Sequence, residues 1–587
     1  MENKYFDIID NQINKILEKK FFGLEFKFID GQRDVITNIC TSFLSWLNND
    51  SDIDSVIISA PTGYGKSIIA MFTSKVLEEL KYKGYILTVD LMLQQQYEKD
   101  LKKFKLRAQS IKGMDNYTCV INNKSFKNGD CKRFNLSYEQ LVQLPCFKRC
   151  GYLQSRLKAV KSPVALLNYS YWLMQRNLVS KKIGEKDAPF KRREFIFFDE
   201  CHKIDDIVQN HFSIKIKKDF SFTFDEVNNL LLDEGYILKK RTARNTISTL
   251  INILFSTSKK TLMLENLKLL YDILNDYLSS YEDIKEYKDA NTEVGGLLSE
   301  EWRKIIKIFD EYNDVFEKIG AYLIVIDKFG YKNLIKRLSQ DDELLEFLSL
   351  REDHLINKHF LEQAGFKIFM SATLGNINKY AQIIGLKKAH VYTLKNSFDY
   401  EKSPIYIMKG IKLDYNNKRK YLPKAIKILD EIISNNFNNN GIVHTASHEF
   451  TRYILNNSKF KNKFISYDGE NKQKQLNKFF KAKGKIFIGP SILEGLDLYD
   501  DRCRFQIFFK IPYPSLNDPL VKAKLNESQD WYDWKTSVSV IQGSNRGIRH
   551  SSGDWSNSYI IESSILSLIK KKLFDNQFLK RIKLYKS

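Results

Sequence analysis

Short unbroken apolar runs alternate with amphipathic stretches over residues 55–200 and again over residues 441–562. Four or five apolar residues bounded by turn formers read as a strand buried on both faces. Such strands, separated by helical periods, imply a parallel sheet covered by helices. The pattern predicts strands at residues 55–59, 85–89, 164–168 and 195–198, with a helix over 66–80. A second set falls at 367–370, 441–445, 485–489, 505–510 and 559–562. Two segments break the alternation. Residues 111–151 are rich in Asn, Lys and Asp and show little apolar periodicity. Residues 215–350 carry helical periodicity, with few Gly or Pro, and read as a helical insertion.

The expected fold class is therefore α/β. At 587 residues the chain exceeds what one core supports. A first parallel-sheet domain is expected in three pieces, 1–110, 152–214 and 351–400, interrupted by a cysteine-bearing segment at 111–151 and by the insertion at 215–350. A second parallel-sheet domain follows at 401–587.

The first predicted strand runs into Ala60-Pro61-Thr62-Gly63-Tyr64-Gly65-Lys66-Ser67. A strand, a Gly-containing turn and a helix place backbone N–H groups around a phosphate chain at the positive end of the helix dipole. Lys66 is expected to reach the β- and γ-phosphates of ATP, and the Ser67 hydroxyl to bind Mg²⁺. Asp199 and Glu200 end the apolar run 195–198, where Asp199 suits Mg²⁺ and Glu200 suits activation of the attacking water. His202 closes this Asp-Glu-Cys-His box and is read as a coupler to the neighbouring domain. Gln32, about one helix upstream, can pair with an adenine edge. In the second domain, Gln542 opens a segment that carries Arg546 and Arg549, three apart on one helix face and candidates for arginine fingers. Gly495 permits close backbone approach to the nucleotide, and Asp497 would sense it or orient an arginine.

Lys plus Arg number 93 against 71 Asp plus Glu, a formal charge of +22. Such an excess points to a polyanionic partner, with a Lys-rich solvated surface as the plain alternative. No stretch approaches ~18 apolar residues and the N-terminus has no signal-peptide core, so a cytoplasmic protein is expected. Seven cysteines in so long a chain form no disulfide framework. Four of them, Cys119, Cys131, Cys146 and Cys150, fall between the loop and the box, separated by eleven, fourteen and three residues. Zinc favours paired Cys-x-x-Cys spacing, which is missing here, so the uneven gaps lean toward an iron–sulfur cluster. Cys40, Cys201 and Cys503 read as buried thiols. Around the four cysteines stand Lys112, Lys124, Lys127, Lys132, Arg133, Lys148 and Arg149, interleaved with Tyr117, Phe126, Phe134 and Phe147. Cations beside aromatics suit single-stranded nucleic acid, or else solvated charge around a small apolar staple. A second basic run, Lys239, Lys240, Arg241 and Arg244, lies in the insertion.

Taken in order, APTGYGKS, DECH, MSATLG, EGLDL and QGSNRGIR make the chain resemble superfamily-two helicases of the XPD/DinG group. KGMDNYTC ahead of Cys119, LLNYSYWL after the cysteines and IPYPSLNDPL after EGLDL are similar to more specific segments of that group. Cys201 stands where Ala is commonest, and Asn545 where Gly usually precedes the first arginine. The resemblance implies two RecA-like motor domains, a [4Fe–4S] cluster held by the four cysteines, and an arch-like helical insertion. It also implies a monomer that hydrolyses ATP with Mg²⁺, moves 5′-to-3′ on single-stranded DNA and unwinds forked duplex. Repair and replication both suit such a motor. About 55 residues precede the first strand, so no fused nuclease domain is expected ahead of it. An RNA- or hybrid-directed helicase, or an ATP-switched clamp that unwinds nothing, are the alternatives.

Overall fold

Apolar runs without a polar interruption need partners above and below, and they find them in two parallel sheets. The computed structural model describes residues 3–18, 27–61, 63–103, 106–128, 143–179, 188–238, 242, 244–290, 299–394, 400–468, 471–490, 492, 498, 500–545 and 555–585. In chain order its strands are β1 Ser55–Ser59, β2 Gly84–Thr88, β3 Gln109–Ser110, β4 Val164–Asn168, β5 Phe195–Asp199, β6 Ile214–Lys217, β7 Leu334–Leu338, β8 Leu344–Ser349 and β9 Phe366–Ser371. They continue with β10 His390–Thr393, β11 Ile405–Ile407, β12 Gly441–His444, β13 Phe464–Ser466, β14 Ile486–Gly489, β15 Phe505–Phe508, β16 Asn557–Ile560 and β17 Ile582–Leu584.

Lobe 1 is a seven-stranded sheet in the order β10-β1-β9-β5-β2-β4-β3, and lobe 2 a seven-stranded sheet in the order β13-β14-β12-β15-β16-β11-β17. Neighbours in both pair in parallel. The lobes share a packing device. Gly84 of β2 sits opposite Phe195 of β5, and Gly441 of β12 opposite Phe505 of β15. A Cβ on Gly84 would come within 2.1 Å of the Phe195 ring, and one on Gly441 within 2.3 Å of the Phe505 ring. Glycine at each position makes room for the neighbouring phenyl ring.

The insertion is not wholly helical, which corrects the expectation for residues 215–350. Its helices Phe222–Asp233, Arg244–Ser256, Lys260–Ala290 and Glu300–Phe329 rise from a three-stranded antiparallel sheet, β6-β8-β7. β6 alternates buried and exposed residues, the signature of a strand with one wet face. This small sheet also meets lobe 2. Ile335 and Leu348 pack on Leu520 of helix Pro519–Glu527, and Arg337 donates to Asp518 at 2.8 Å. Among the described residues, no helix is long and apolar enough to cross a membrane.

Candidate active site

The P-loop follows β1 and opens helix Lys66–Glu79, whose N-cap is Gly65. Gly65 has φ +81°, and a Cβ there would lie 2.7 Å from the Gln32 amide nitrogen. Glycine is thus required twice over, by conformation and by space. The Gln32 amide is held by protein at both ends: it donates to the Tyr64 carbonyl at 2.6 Å and accepts from the Ile29 N–H at 2.9 Å. The Tyr64 hydroxyl donates to the Asp30 carbonyl. Gln32 is buried and braces the loop from behind.

The box continues from β5. Lys66 Nζ lies 3.4 Å from Glu200 Oε1, bringing the loop and the box together. Glu200 has φ +50°, an uncommon left-handed backbone for a non-glycine residue. Asp199 is buried, its Oδ2 accepting from the Tyr97 hydroxyl at 2.8 Å and its Oδ1 from the Glu200 N–H at 2.9 Å. Burial, then the neighbouring Glu200 charge, push the Asp199 carboxyl up to about 6. Burial works the same way on Glu200, but Lys66 and His202 outweigh it and hold that carboxyl well below the ordinary carboxylate range. The pair is thus split, with Glu200 the readier anion.

Ser371, at the end of β9, adjoins the box because β9 pairs with β5. Its hydroxyl donates to Glu200 Oε2 at 3.3 Å and stands 2.8 Å from His202 Nδ1. Thr373 Oγ1 is 3.2 Å from the same ring nitrogen. On its far side His202 Nε2 meets the amide nitrogen of Gln542, in lobe 2, at 3.2 Å. An amide N–H can only donate, so Nε2 is the acceptor in this contact, and Nδ1 faces Ser371 and Glu200. A continuous polar chain therefore runs from Gln542 through His202 and Ser371 to Glu200.

Lys66, Asp199, Glu200, Ala60, Pro61, Gly63, Tyr64, Gly65 and Ser67 belong to the joined loop and box, with Gln542 meeting His202 from lobe 2; Gln32 lies behind the loop with both amide ends occupied, which corrects its expected pairing with an adenine edge. Thr62, Gly495, Asp497, Arg546 and Arg549 lie outside the described residues. Asn545, just before the first arginine, accepts from Arg581 at 2.6 Å, so the residue that departs from the usual Gly is tied to the start of β17. The sequence reading missed Tyr97, Ser371 and Thr373. The last two stand in the quoted MSATLG segment at the end of a predicted strand, which was a usable signal; nothing along the chain marks Tyr97.

In the cysteine segment, Cys119, Cys146 and Cys150 are buried, while Cys131, Lys132 and Arg133 lie outside the described residues. Burial, then the proximity of Cys150 and Cys119, push the Cys146 thiol up; burial and Cys119 do the same to Cys150. Among the described residues, no group of three or more His, Cys, Asp or Glu is arranged to hold a metal ion. Tyr152 anchors the segment to lobe 1: it stacks on Phe126 at 4.3 Å, meets Tyr117 edge-on at 5.5 Å and shares a hydroxyl contact with Tyr171 at 3.1 Å. Tyr117 is thus half-buried, its hydroxyl accepting from the Lys112 N–H at 3.2 Å. Lys112 Nζ pairs with Glu98 at 2.9 Å, whereas Lys148 and Arg149 are exposed.

Comparison with known proteins agrees with this geometry. Residues 431–582 match the helicase C-terminal domain family, and residues 25–225 match the type III restriction enzyme res subunit family. The chain is 23% identical over 550 residues to a probable ATP-dependent helicase of Methanocaldococcus jannaschii, covering 78% of each. It is 22% identical over 539 residues to the ATP-dependent DNA helicase YoaA of Haemophilus influenzae, covering 81% of each. Its fold is similar to a solved XPD helicase, with TM-score 0.58 and 17% identity over 96% of this chain and 100% of that one. Xpd4 of S. tokodaii gives TM-score 0.56 and 14% identity over 94% and 99%. The matched helicase domains in both lobes, the joined loop and box, and the shared fold make this chain similar to ATP-dependent helicases and give it the fold of XPD helicases.

Proposed function

We propose that the protein is an ATP-dependent DNA helicase that moves along single-stranded DNA, in the 5′-to-3′ sense of its group, and opens forked duplex ahead of it. The observation that carries this is the cleft itself. Lys66 and Glu200 meet at 3.4 Å over the P-loop, and a hydrogen-bonded chain leads from Glu200 to lobe 2. With ATP in the loop, Lys66 turns from Glu200 to the phosphates. Glu200, kept anionic, then orients and deprotonates the attacking water. Its charge change reaches Ser371 and His202, so Gln542 feels whether the γ-phosphate is present. Arg546 and Arg549 are proposed to complete the site from lobe 2, with Gly495 and Asp497 beside them.

Mg²⁺ fits the donor set: Asp199 is a buried carboxylate held by the Tyr97 hydroxyl, Ser67 follows Lys66 at the start of the P-loop helix, and the ion would neutralise phosphate charge there. A [4Fe–4S] cluster fits the chemistry of Cys119, Cys146 and Cys150, three thiols buried near one another, with Cys131 proposed as the fourth ligand. A cubane spreads its thiolates more widely than a single ion does, and it would stiffen a segment held otherwise by the Tyr152 staple. Iron content and visible absorption of anaerobically purified protein test that assignment. Lys148 and Arg149, with Lys132 and Arg133, are proposed to touch the strand.

The test of the function is Glu200→Gln. It should retain ATP binding and lose turnover on single-stranded DNA by at least ~10²-fold, the contribution expected of a general base. Unchanged hydrolysis removes the assignment. Strand displacement on tailed DNA, run beside hydrolysis, separates a helicase from a clamp, and matched RNA tails separate the two substrates.

A further inference from the structure

The positive charge of the chain is not spread evenly. Residues 215–350 contain 20 Lys and Arg against 24 Asp and Glu, so the insertion is net acidic although the whole chain is +22. Residues 458–485 of lobe 2 contain nine Lys against only Asp468 and Glu470. A lysine-rich composition alone would have enriched both.

The fold gathers much of this charge at one place. The turns leading into β12, β13, β14 and β15 meet at the N-terminal pole of the lobe 2 sheet. They are locked there around Asn440, which donates to the Ala482 carbonyl at 2.9 Å and accepts from the Lys485 N–H at 3.0 Å. Lys463 donates to the Gly484 carbonyl at 3.1 Å, and Lys485 to the Asn462 carbonyl at 2.8 Å. These two lysines hold the turns together. Lys459, Lys461, Lys481 and Lys483 project from the same turns into solvent, and Lys474 and Lys478 extend the array along helix Lys472–Lys481. Among the described residues none of these six makes an ion pair. The pole faces away from the nucleotide cleft, which lies at the C-terminal ends of the strands, on the order of 13 Å away for a four-residue strand.

We infer that this pole is a second nucleic-acid surface, which grips the sugar–phosphate backbone of duplex DNA while the motor holds a single strand elsewhere. Charge selects the backbone. The aromatics favour duplex over single strand, because a cation or a neighbouring ring already lies against each of them, although Phe437 stays half-exposed: Lys463 lies 3.5 Å over Phe437, Phe460 packs edge-on to Phe437, and Arg502 lies over Phe480. A single strand would call for open rings on which bases stack. A fixed array of ammonium groups suits the regular phosphates of a double helix.

The test changes Lys459→Glu, Lys461→Glu, Lys481→Glu and Lys483→Glu together and measures binding to blunt duplex DNA, without nucleotide, across a salt series. Losing four phosphate contacts should reduce the slope of log affinity against log salt by ~3–4. At the lowest salt the affinity should fall at least tenfold. The four Lys→Gln changes should act in the same direction, and decide the matter should the Glu variant melt early. ATP turnover stimulated by a short single-stranded oligonucleotide should stay at the wild-type rate, because none of the four residues is in the motor site. Lys66→Ala should keep the wild-type duplex slope, so a failed motor assignment and a failed pole are distinguishable. An unchanged slope and affinity on blunt duplex overturns the proposal. So does a pole that binds a polyglutamate peptide in preference to duplex, which would make an acidic protein segment its partner.

Discussion

Helix Gln529–Ser544 of lobe 2 touches lobe 1 at two places made of different material. At its first turns, Trp534 is buried, donates its indole N–H to the Leu374 carbonyl at 2.9 Å and joins the lobe 1 core with Val538. Beside it Lys535 grips Asp205 at 3.0 Å and Asp206 at 2.8 Å. Burial opposes the Lys535 charge, but the two carboxylates outweigh it and hold the ammonium above its ordinary range. At the other end, two turns on and along the same face, the contact is one amide against one imidazole, Gln542 on His202. Apolar burial with a desolvated ion pair is costly to separate; a lone polar contact is readily exchanged. One end of the helix fastens the lobes and the other reads the nucleotide.

Three measurements test that contrast. The largest effect belongs to Trp534→Ala. It should leave a cavity and an unpaired Leu374 carbonyl at the fastened end, lowering stability by about 3–5 kcal/mol in denaturant melts. A loss under 1 kcal/mol would show that the lobes are not held there. The next lies on helix Ile204–Phe212, which presents Asp205 to Lys535 at one end and carries His211 at the other. Burial, and then Lys318, hold His211 down at about 4. Between about 4 and 6.5 the unfolded chain therefore binds more protons at this site. Stability is fully present above 6.5 and drains away as pH falls toward 4, by ~1–3 kcal/mol for a partly exposed ring. His211→Gln should flatten that acid loss of melting midpoint; parallel wild-type and variant curves would sink the idea. The smallest effect is expected for Gln542→Ala, which should lower kcat by a factor of up to about ten, 1.4 kcal/mol or less, with folding stability unchanged. A drop in stability comparable to that of Trp534→Ala would erase the distinction between the two ends.

What could be read along the chain follows the same division between buried and exposed material. β1, β4 and β5 are continuous apolar runs because both faces are covered, and periodicity finds such runs. β10, β13 and β17 are short and half-exposed, and β3 has only two residues, so none leaves a pattern longer than a turn. β6, β7 and β8 were absorbed into the helical reading because long amphipathic helices fill the sequence between them. In the active site the P-loop and box are local motifs, legible as strings. Tyr97 meets Asp199 across 102 positions of chain, through the topology of the sheet, and no local pattern encodes such a meeting.

The small sheet under the insertion has one more consequence. β6 carries the chain out of lobe 1 and β8, paired antiparallel to it, brings it back, with β7 on the far edge of β8, so outgoing and returning strands are held side by side. Whatever is spliced between residues 217 and 334 hangs from a closed socket. It can lengthen, shorten or change its chemistry without rethreading the engine beneath it. Lineages carrying this scaffold are therefore free to retool the appendage while the nucleotide machinery stays as it is.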